Sequence, residues 1–284
     1  MLTSPMALGR AMSDFSAFKE LEIRGWSDAE RATGYVNLFA MASDLAITPL
    51  LNAAGATAGL RALDLCCGQG NVSEALVTCG CEVTGADFSP AMLEMARRRV
   101  PDARFIEADA QNLPFGEAEF DLVVSNLGVC HVPDQPRALR ETRRVLRPGG
   151  RFAMTVWCGP PAGPAYELLY RIIKQHGAPG VAAPPGPDFH LFANPSEAER
   201  LLSAAGYSDI EQSVVQCAWE YQRPEGLVEM FQNGTVRAAK VLTSQPPQNL
   251  QAIRRAMTAE VRTRFAHGDR WRVPAPAALI SARN

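Results

Sequence analysis

The chain has 284 residues, 47% hydrophobic and 20% charged, which suits one large domain or one domain with a lid. Its net charge of -2 and pI near 6.1 leave no basic excess to neutralise a phosphate backbone, so nucleic acid is not an expected substrate. The seven cysteines include no C-x-x-C pair, so reduced thiols are expected rather than a metal site or disulfides.

Residues 1–10 lack a basic segment ahead of an apolar core, and no apolar stretch reads as long enough to span a bilayer. A cytoplasmic protein without a membrane span is the expectation. From 26 to 52 the pattern is helical, with Tyr35, Leu38, Phe39, Ala42, Leu45 and Ala46 at three- and four-residue spacing. A Gly/Ala-rich link follows at 53–59.

Strands and helices then alternate. Strands are expected at 61–65, 81–86, 103–107, 121–126 and 151–157, and helices at 71–78, 89–99 and 137–146. Ser89 reads as an N-cap with Pro90 at the first helical position. Pro148-Gly149-Gly150 stops the third of these helices. The arginines at 137, 140, 143, 144 and 147 read as a solvated face. Continuous apolar strands separated by helices imply a mostly parallel sheet covered on both faces, with its ligand site beyond the carboxyl ends of the strands. Beyond Trp157 a Pro/Gly-rich stretch carries a helix at 165–175. Asn194, Pro195 and Glu197 read as N-cap, first helical residue and capping-box acid of a helix ending at Gly206. A long strand at 210–221, helices at 224–242 and 248–265, and a last strand at 277–282 complete the reading. The expected organisation is an N-terminal helical segment (1–58), a Rossmann-like doubly wound α/β core (59–158), and lid helices with C-terminal strands completing the sheet (159–284).

The chemistry-bearing motifs fall after the strands. Asp64-Leu65-Cys66-Cys67-Gly68-Gln69-Gly70 follows the first strand and opens a helix, with Gly68 and Gly70 permitting a tight turn and close approach to a ligand. The third glycine of a dinucleotide fingerprint is replaced by Ser73, so the loop fits a pyrophosphate poorly. Asp87, at the end of the second strand, reads as a ribose-hydroxyl acceptor or as a helix cap. Asp109 reads as an adenine-amino acceptor or as a surface turn residue.

The ordered set Asp64-x-x-Cys67-Gly68-x-Gly70, 85–93 (GADFSPAML), 107–115 (EADAQNLPF), 120–126 (FDLVVSN) and 146–150 (LRPGG) resembles the class I S-adenosylmethionine-dependent methyltransferases. It is similar in particular to the ubiquinone/menaquinone C-methyltransferase group, over about residues 26–157. The resemblance implies S-adenosyl-L-methionine as cofactor, S-adenosyl-L-homocysteine as product, and a small-molecule methyl acceptor. It implies that Asp64, Cys66, Gly68 and Gly70 line the methionine half and that Asp87 holds the ribose. Phe88 and Met92 would pack near the adenosine, Asp109 and Ala110 would read adenine, and Asn126 and Leu127 would sit where methyl meets acceptor. Tyr35 would touch the cofactor carboxylate or serve as an ordinary packing residue. The family usually has glycine at the position of Cys66, and a side chain there is tolerable if the backbone is not left-handed.

Methyl transfer from a sulfonium needs no protein nucleophile, and a base helps only where the acceptor must lose a proton. His131, just past the fourth strand, is the expected base, with a structural or cofactor-lining role as the alternative. His190 is a weaker candidate; His176 and His267 are expected to be exposed. Trp157, Tyr166, Phe189, Phe192, Trp219 and Phe231 are divided between core and an apolar acceptor pocket, which favours a hydrophobic or aromatic small molecule. Arsenite methyltransferases place a cysteine where this chain has Leu127. A nicotinamide oxidoreductase is disfavoured by Ser73 and by the lack of a Tyr-x-x-x-Lys dyad. A non-catalytic cofactor-binding or interaction protein on the same fold is the alternative to an enzyme.

Overall fold

The computed structural model describes residues 15–284. The expectation about residues 1–10 lies outside the described residues. Two sheets form among the described residues. The larger runs β3-β2-β1-β4-β5-β10-β6 and the smaller β7-β9-β8.

The larger sheet is built from β1 (Arg61–Leu65), β2 (Glu82–Asp87), β3 (Arg104–Glu107), β4 (Phe120–Asn126) and β5 (Leu146–Trp157), all parallel. β10 (Ala277–Arg283) is inserted antiparallel between β5 and β6 (Ser208–Val215). Strand order reverses between β1 and β4, which puts a crevice at their carboxyl ends. Alternate residues of each strand serve opposite faces. Ala62, Leu122, Val124, Ala153 and Leu279 pack with α4 (Ile47–Ala54) and α5 (Asn71–Thr78). Leu63, Val123, Phe152, Met154 and Ile280 pack with α7 (Gln135–Val145) and α9 (Pro195–Ala204) on the other face. α6 (Pro90–Arg99) covers β2 and β3 through Leu93, Ala96 and Val100 against Phe105.

The cap signals work as local chemistry dictates. Ser89 Oγ accepts from the Met92 N–H at 3.1 Å, and the Asn194 side chain accepts from the Ser196 N–H at 3.0 Å. The expected capping-box role of Glu197 is not realised, because its carboxylate turns to Arg200 at 2.6 Å. β5 starts at Leu146, so Pro148-Gly149-Gly150 lies within the first part of the strand.

The expected long strand at 210–221 is two strands in two sheets. β6 pairs with β10, the chain breaks at residues 216–217, and β7 (Ala218–Tyr221) pairs with β9 (Arg270–Pro274). β9 also pairs with β8 (Ala266–His267); neither was expected. The helix expected over 224–242 is α10 (Gly226–Asn233) and α11 (Arg237–Thr243), broken after Gly234. With α8 (Pro164–His176) and α12 (Pro247–Arg264), these elements form a cap with its own core, in which Trp219, Phe231, Ile253, Met257 and Val261 are fully buried.

The N-terminal helical region begins before residue 26, with α1 (Ser16–Trp26). Next come α2 (Ala29–Gly34), a π turn at Tyr35–Phe39, α3 (Ala40–Ser43) and α4. The expectation that no stretch is long enough to span a bilayer needs correction. Ala29–Ala54 is a 26-residue helical run whose most apolar 18 residues have mean hydropathy 1.2. Its apolar side is used inside the fold: Phe39, Ala42 and Ala46 join the core of the cap, and Leu50, Leu51 and Ala54 pack on the sheet.

Candidate active site

One cavity of about 990 Å³ opens beyond the carboxyl ends of β1, β2 and β4. It runs from the loops of the sheet to the aromatic side chains of the cap. Tyr35, Asp64, Cys66, Gly68, Asp87, Phe88, Met92, Asp109, Ala110, Asn126, Leu127 and His131 all line it. Gly70 does not. It caps α5 with φ 86°, and a Cβ there would sit 3.2 Å from the Ala96 Cβ of α6. Gly70 therefore shapes the turn and lets α6 approach, which corrects its expected place on the wall.

At the sheet end the acids are set by their neighbours. Asp64 lies buried in β1 and accepts from Ser73 Oγ at 2.7 Å. Burial pushes its carboxyl up to about 7, against the opposing Ser73 hydrogen bond. The serine that takes the place of a third loop glycine thus serves Asp64. Asp87 accepts from the Gly68 N–H at 3.0 Å and the Ser89 N–H at 2.8 Å, one at each oxygen. Burial raises its pKa against these bonds. Asp109 faces Lys19 Nζ at 2.8 Å and the Gln111 N–H at 2.9 Å. Burial would raise it, but Lys19 and Gln111 prevail and hold it below the usual carboxylate value.

The loop after β1 departs from expectation at Cys66, which has φ 58°. The side chain is therefore carried on a left-handed backbone, contrary to the expected condition for tolerating it. Leu127 is left-handed as well, with φ 60°. It is fixed by its N–H, which donates to Thr155 O at 3.1 Å and Thr155 Oγ1 at 3.0 Å. Asn126 is clamped in turn: its Nδ2 donates to Ser43 O at 3.1 Å and its Oδ1 accepts from Thr155 Oγ1 at 2.6 Å. Tyr35 stacks on Phe39 with centroids 4.9 Å apart, and burial lifts its phenol to about 12.

His131 is held by a residue not anticipated, Glu22 of α1, with Nδ1 to Oε2 at 2.8 Å. Burial opposes a positive charge on the ring, yet Cys130 and Glu22 prevail and lift its pKa well above the usual imidazole value. Lys19, Glu22 and Trp26 are cavity residues that the sequence reading missed. Their signal is present but faint: Phe18, Glu22 and Trp26 recur at four-residue spacing, a helix face with an acid at its centre. His190 lines the cavity, bonded to Trp157 O at 2.8 Å and Tyr170 Oη at 3.0 Å, and burial lowers its pKa. His267 is exposed as expected, whereas His176 is half-buried.

At the cap end Trp157, Tyr166, Phe189 and Phe231 line the cavity. Phe192 and Trp219 do not. Phe192 packs beneath the sheet, and Trp219 donates its indole N–H to Phe39 O at 2.9 Å in the core of the cap.

Residues 63–154 match the family model of a methyltransferase domain. A demethylmenaquinone methyltransferase of Renibacterium salmoninarum is 31% identical over 172 residues, which are 60% of this chain and 70% of the relative. One from Thermus thermophilus is 37% identical over 164 residues, 52% of this chain and 74% of the relative. The chain belongs to the class I S-adenosylmethionine-dependent methyltransferases. The methyltransferase uses S-adenosylmethionine as cofactor and transfers its methyl group to a small molecule. Its fold is similar to that of Haemonchus contortus phosphoethanolamine N-methyltransferase 2, solved with phosphomonomethylethanolamine and S-adenosylhomocysteine. The TM-score is 0.59 at 20% identity, covering 94% of this chain and 60% of that one.

The cavity suits that cofactor on its own features. Nothing lies within 4 Å of a Cβ built on Gly68, so the loop leaves open space where a ligand backbone would pass. Each oxygen of Asp87 already accepts one N–H and keeps capacity for a hydroxyl donor.

Proposed function

We propose that the methyltransferase acts on an apolar, ring-bearing acceptor with an ionisable hydroxyl, of the quinol or phenol type. The carrying observation is the continuity of one cavity, polar at the strand loops and aromatic under the cap. Asp87 takes the ribose hydroxyls, and Asp109 with the backbone of Ala110 reads the adenine. Phe88 and Met92 flank the adenosine. Asp64, Cys66 and Gly68 surround the methionine end, and Tyr35 closes over it. Asn126 and Leu127 floor the point of transfer, and the cap helices within residues 159–284 act as the lid that receives the acceptor, while β6 and β10 complete the sheet.

The cofactor supplies an activated methyl group when bound. The protein's task is to align the acceptor with it, exclude water and accept the proton. His131 takes that proton. The quinol reading is supported by the relatives, which are named demethylmenaquinone methyltransferases. Seven unpaired thiols suit a reducing compartment such as the cytoplasm.

Titration calorimetry tests the cofactor site. Both S-adenosylmethionine and S-adenosylhomocysteine should bind, and NAD should not. Asp87→Asn should weaken both by about 2 kcal/mol, roughly thirtyfold, as for loss of a charge-assisted hydrogen bond, with the fold intact by circular dichroism. Unchanged affinity would reject Asp87 as the ribose ligand. The acceptor class is tested by screening quinols and phenols for transfer of labelled methyl.

A further inference from the structure

The reading of His131 as base leaves open why a carboxylate is buried behind it. Glu22 is 2% exposed on the inward face of α1, between Phe18 and Trp26. Its Oε2 receives two groups, Trp26 Nε1 at 2.8 Å and His131 Nδ1 at 2.8 Å. Its Oε1 is buried with no partner among the described residues.

We propose that Glu22 is a positioning residue for methyl transfer, fixing His131 with its proton on Nδ1 and presenting Nε2 to the acceptor. This rests on the reading of His131 given above.

An ionised carboxylate only accepts, so the ring nitrogen facing it must carry hydrogen. In the neutral ring the lone pair then lies on Nε2 of a cavity-lining side chain, with the Cys130 thiol as the ring's other polar neighbour. The ring has little room to turn. Trp26 and Phe189 meet it edge-on, each with centroids 5.4 Å away. Trp26 is tied to the cofactor loop as well, since its carbonyl accepts from Ser89 Oγ at 2.6 Å.

A stability role explains this arrangement poorly. Apolar residues in place of a buried ion pair commonly stabilise a fold as well or better, and this carboxylate keeps one oxygen unsatisfied. As an orienting group for a base the arrangement is economical, because one carboxylate sets both the tautomer and the ring plane. In the step itself, the acceptor's hydroxyl proton passes to Nε2. The electron pair released into the acceptor forms its new bond to methyl, and the methyl–sulfur pair stays on sulfur, leaving a neutral thioether. The imidazolium so formed is balanced by Glu22.

Glu22→Gln keeps the shape and removes the charge. Nitrogen-15 NMR of the imidazoles in the full chain, saturated with S-adenosylhomocysteine, reads the tautomer directly, with His131→Asn assigning the signal. Above the ring's titration, the wild type should show Nδ1–H with bare Nε2, and Glu22→Gln should shift the population towards Nε2–H. A tautomer unchanged by Glu22→Gln would overturn the proposal. With the acceptor found in the screen, Glu22→Gln should lower kcat at least tenfold with acceptor KM and cofactor affinity within about twofold. In a His131→Asn background it should lower kcat no further; an equal loss in both backgrounds would also overturn the proposal. Full turnover by His131→Asn alone would instead reject the base reading itself. Loss in His131→Asn with none in Glu22→Gln would reject Glu22 alone.

Discussion

At Gly128 two strained loops meet. A Cβ added there would overlap the Cβ of Cys66 and come within 2.9 Å of Ser125 Oγ. Ser125 Oγ is buried with no partner among the described residues, so it is free to rotate aside; the Cys66 Cβ, on its left-handed backbone, is not. Gly128→Ala should therefore lower stability by about 1–3 kcal/mol, as is typical of overpacking, and the melting temperature with it. Cys66→Gly should raise it, since glycine adopts the left-handed conformation without the roughly 1–2 kcal/mol that a side chain costs there. The double variant should recover most of the loss of Gly128→Ala. Additive melting shifts would mean that the two positions do not share the crowding. The expectation for Cys66 failed for a local reason: composition and spacing carry no dihedral angle. Glu22 escaped notice for another. Its chemistry depends on a contact 109 positions away in sequence, and an acid in an eleven-residue helix looks like solvated surface.

At the scale of elements, what could be read was what local signals determine. The β1–α5 unit falls where glycine placement and apolar runs put it, and the Ser89 and Asn194 caps form as read. The part after Trp157 was read less well because it depends on pairing between distant segments. β8 and β9 are short and polar-rich, and they exist by pairing with each other and with β7. The break between β6 and β7 shows no turn residue, since Gln216 and Cys217 lie within one β-favouring run. The helices of the cap carry a testable consequence. Tyr166 on α8 is buried among Trp157, Phe189 and Phe231, yet its hydroxyl has no hydrogen-bond partner among the described residues and the side chain lines the cavity. Tyr166→Leu keeps an apolar side chain and removes the ring face and hydroxyl. Acceptor KM should rise about tenfold, while S-adenosylhomocysteine affinity stays within twofold. A change in cofactor affinity with acceptor KM untouched would move α8 from the acceptor end of the cavity to the cofactor end.

Across the whole molecule, Asp64, Asp87 and His131 make stability fall as pH rises, against Asp109 and His190, whose folded values lie below their unfolded ones. Asp64 sits in the central strand with a carboxyl raised to about 7, whereas in the unfolded chain it titrates near the ordinary value of about 3.9. Between those values the native protein holds a proton that the unfolded chain has released. Stability from this group is full below the unfolded value and is lost as pH rises through 7. His131 adds a loss of the same sign at higher pH, because its folded value also lies above its unfolded one. The groups facing it are Glu22 from α1, Cys130 from its own turn and Asp87 from β2. Turnover that needs neutral His131 should accordingly rise with pH, with a midpoint above about 6.5. Urea unfolding of the cofactor-free wild type and of Asp64→Asn at pH 5, 6 and 7 isolates the Asp64 contribution as the difference between the two, since Asp87 is raised as well. The wild type should lose up to about 1.4 kcal/mol per pH unit from this one proton. Asp64→Asn can still accept from Ser73 through its amide oxygen, and it should flatten that slope by as much. If the variant keeps the full slope, the proton resides elsewhere. If wild type and Asp64→Asn share the same flat profile over this range, Asp64 is already ionised in the native state at pH 5, and the methionine end of the cavity carries a negative charge before any ligand enters.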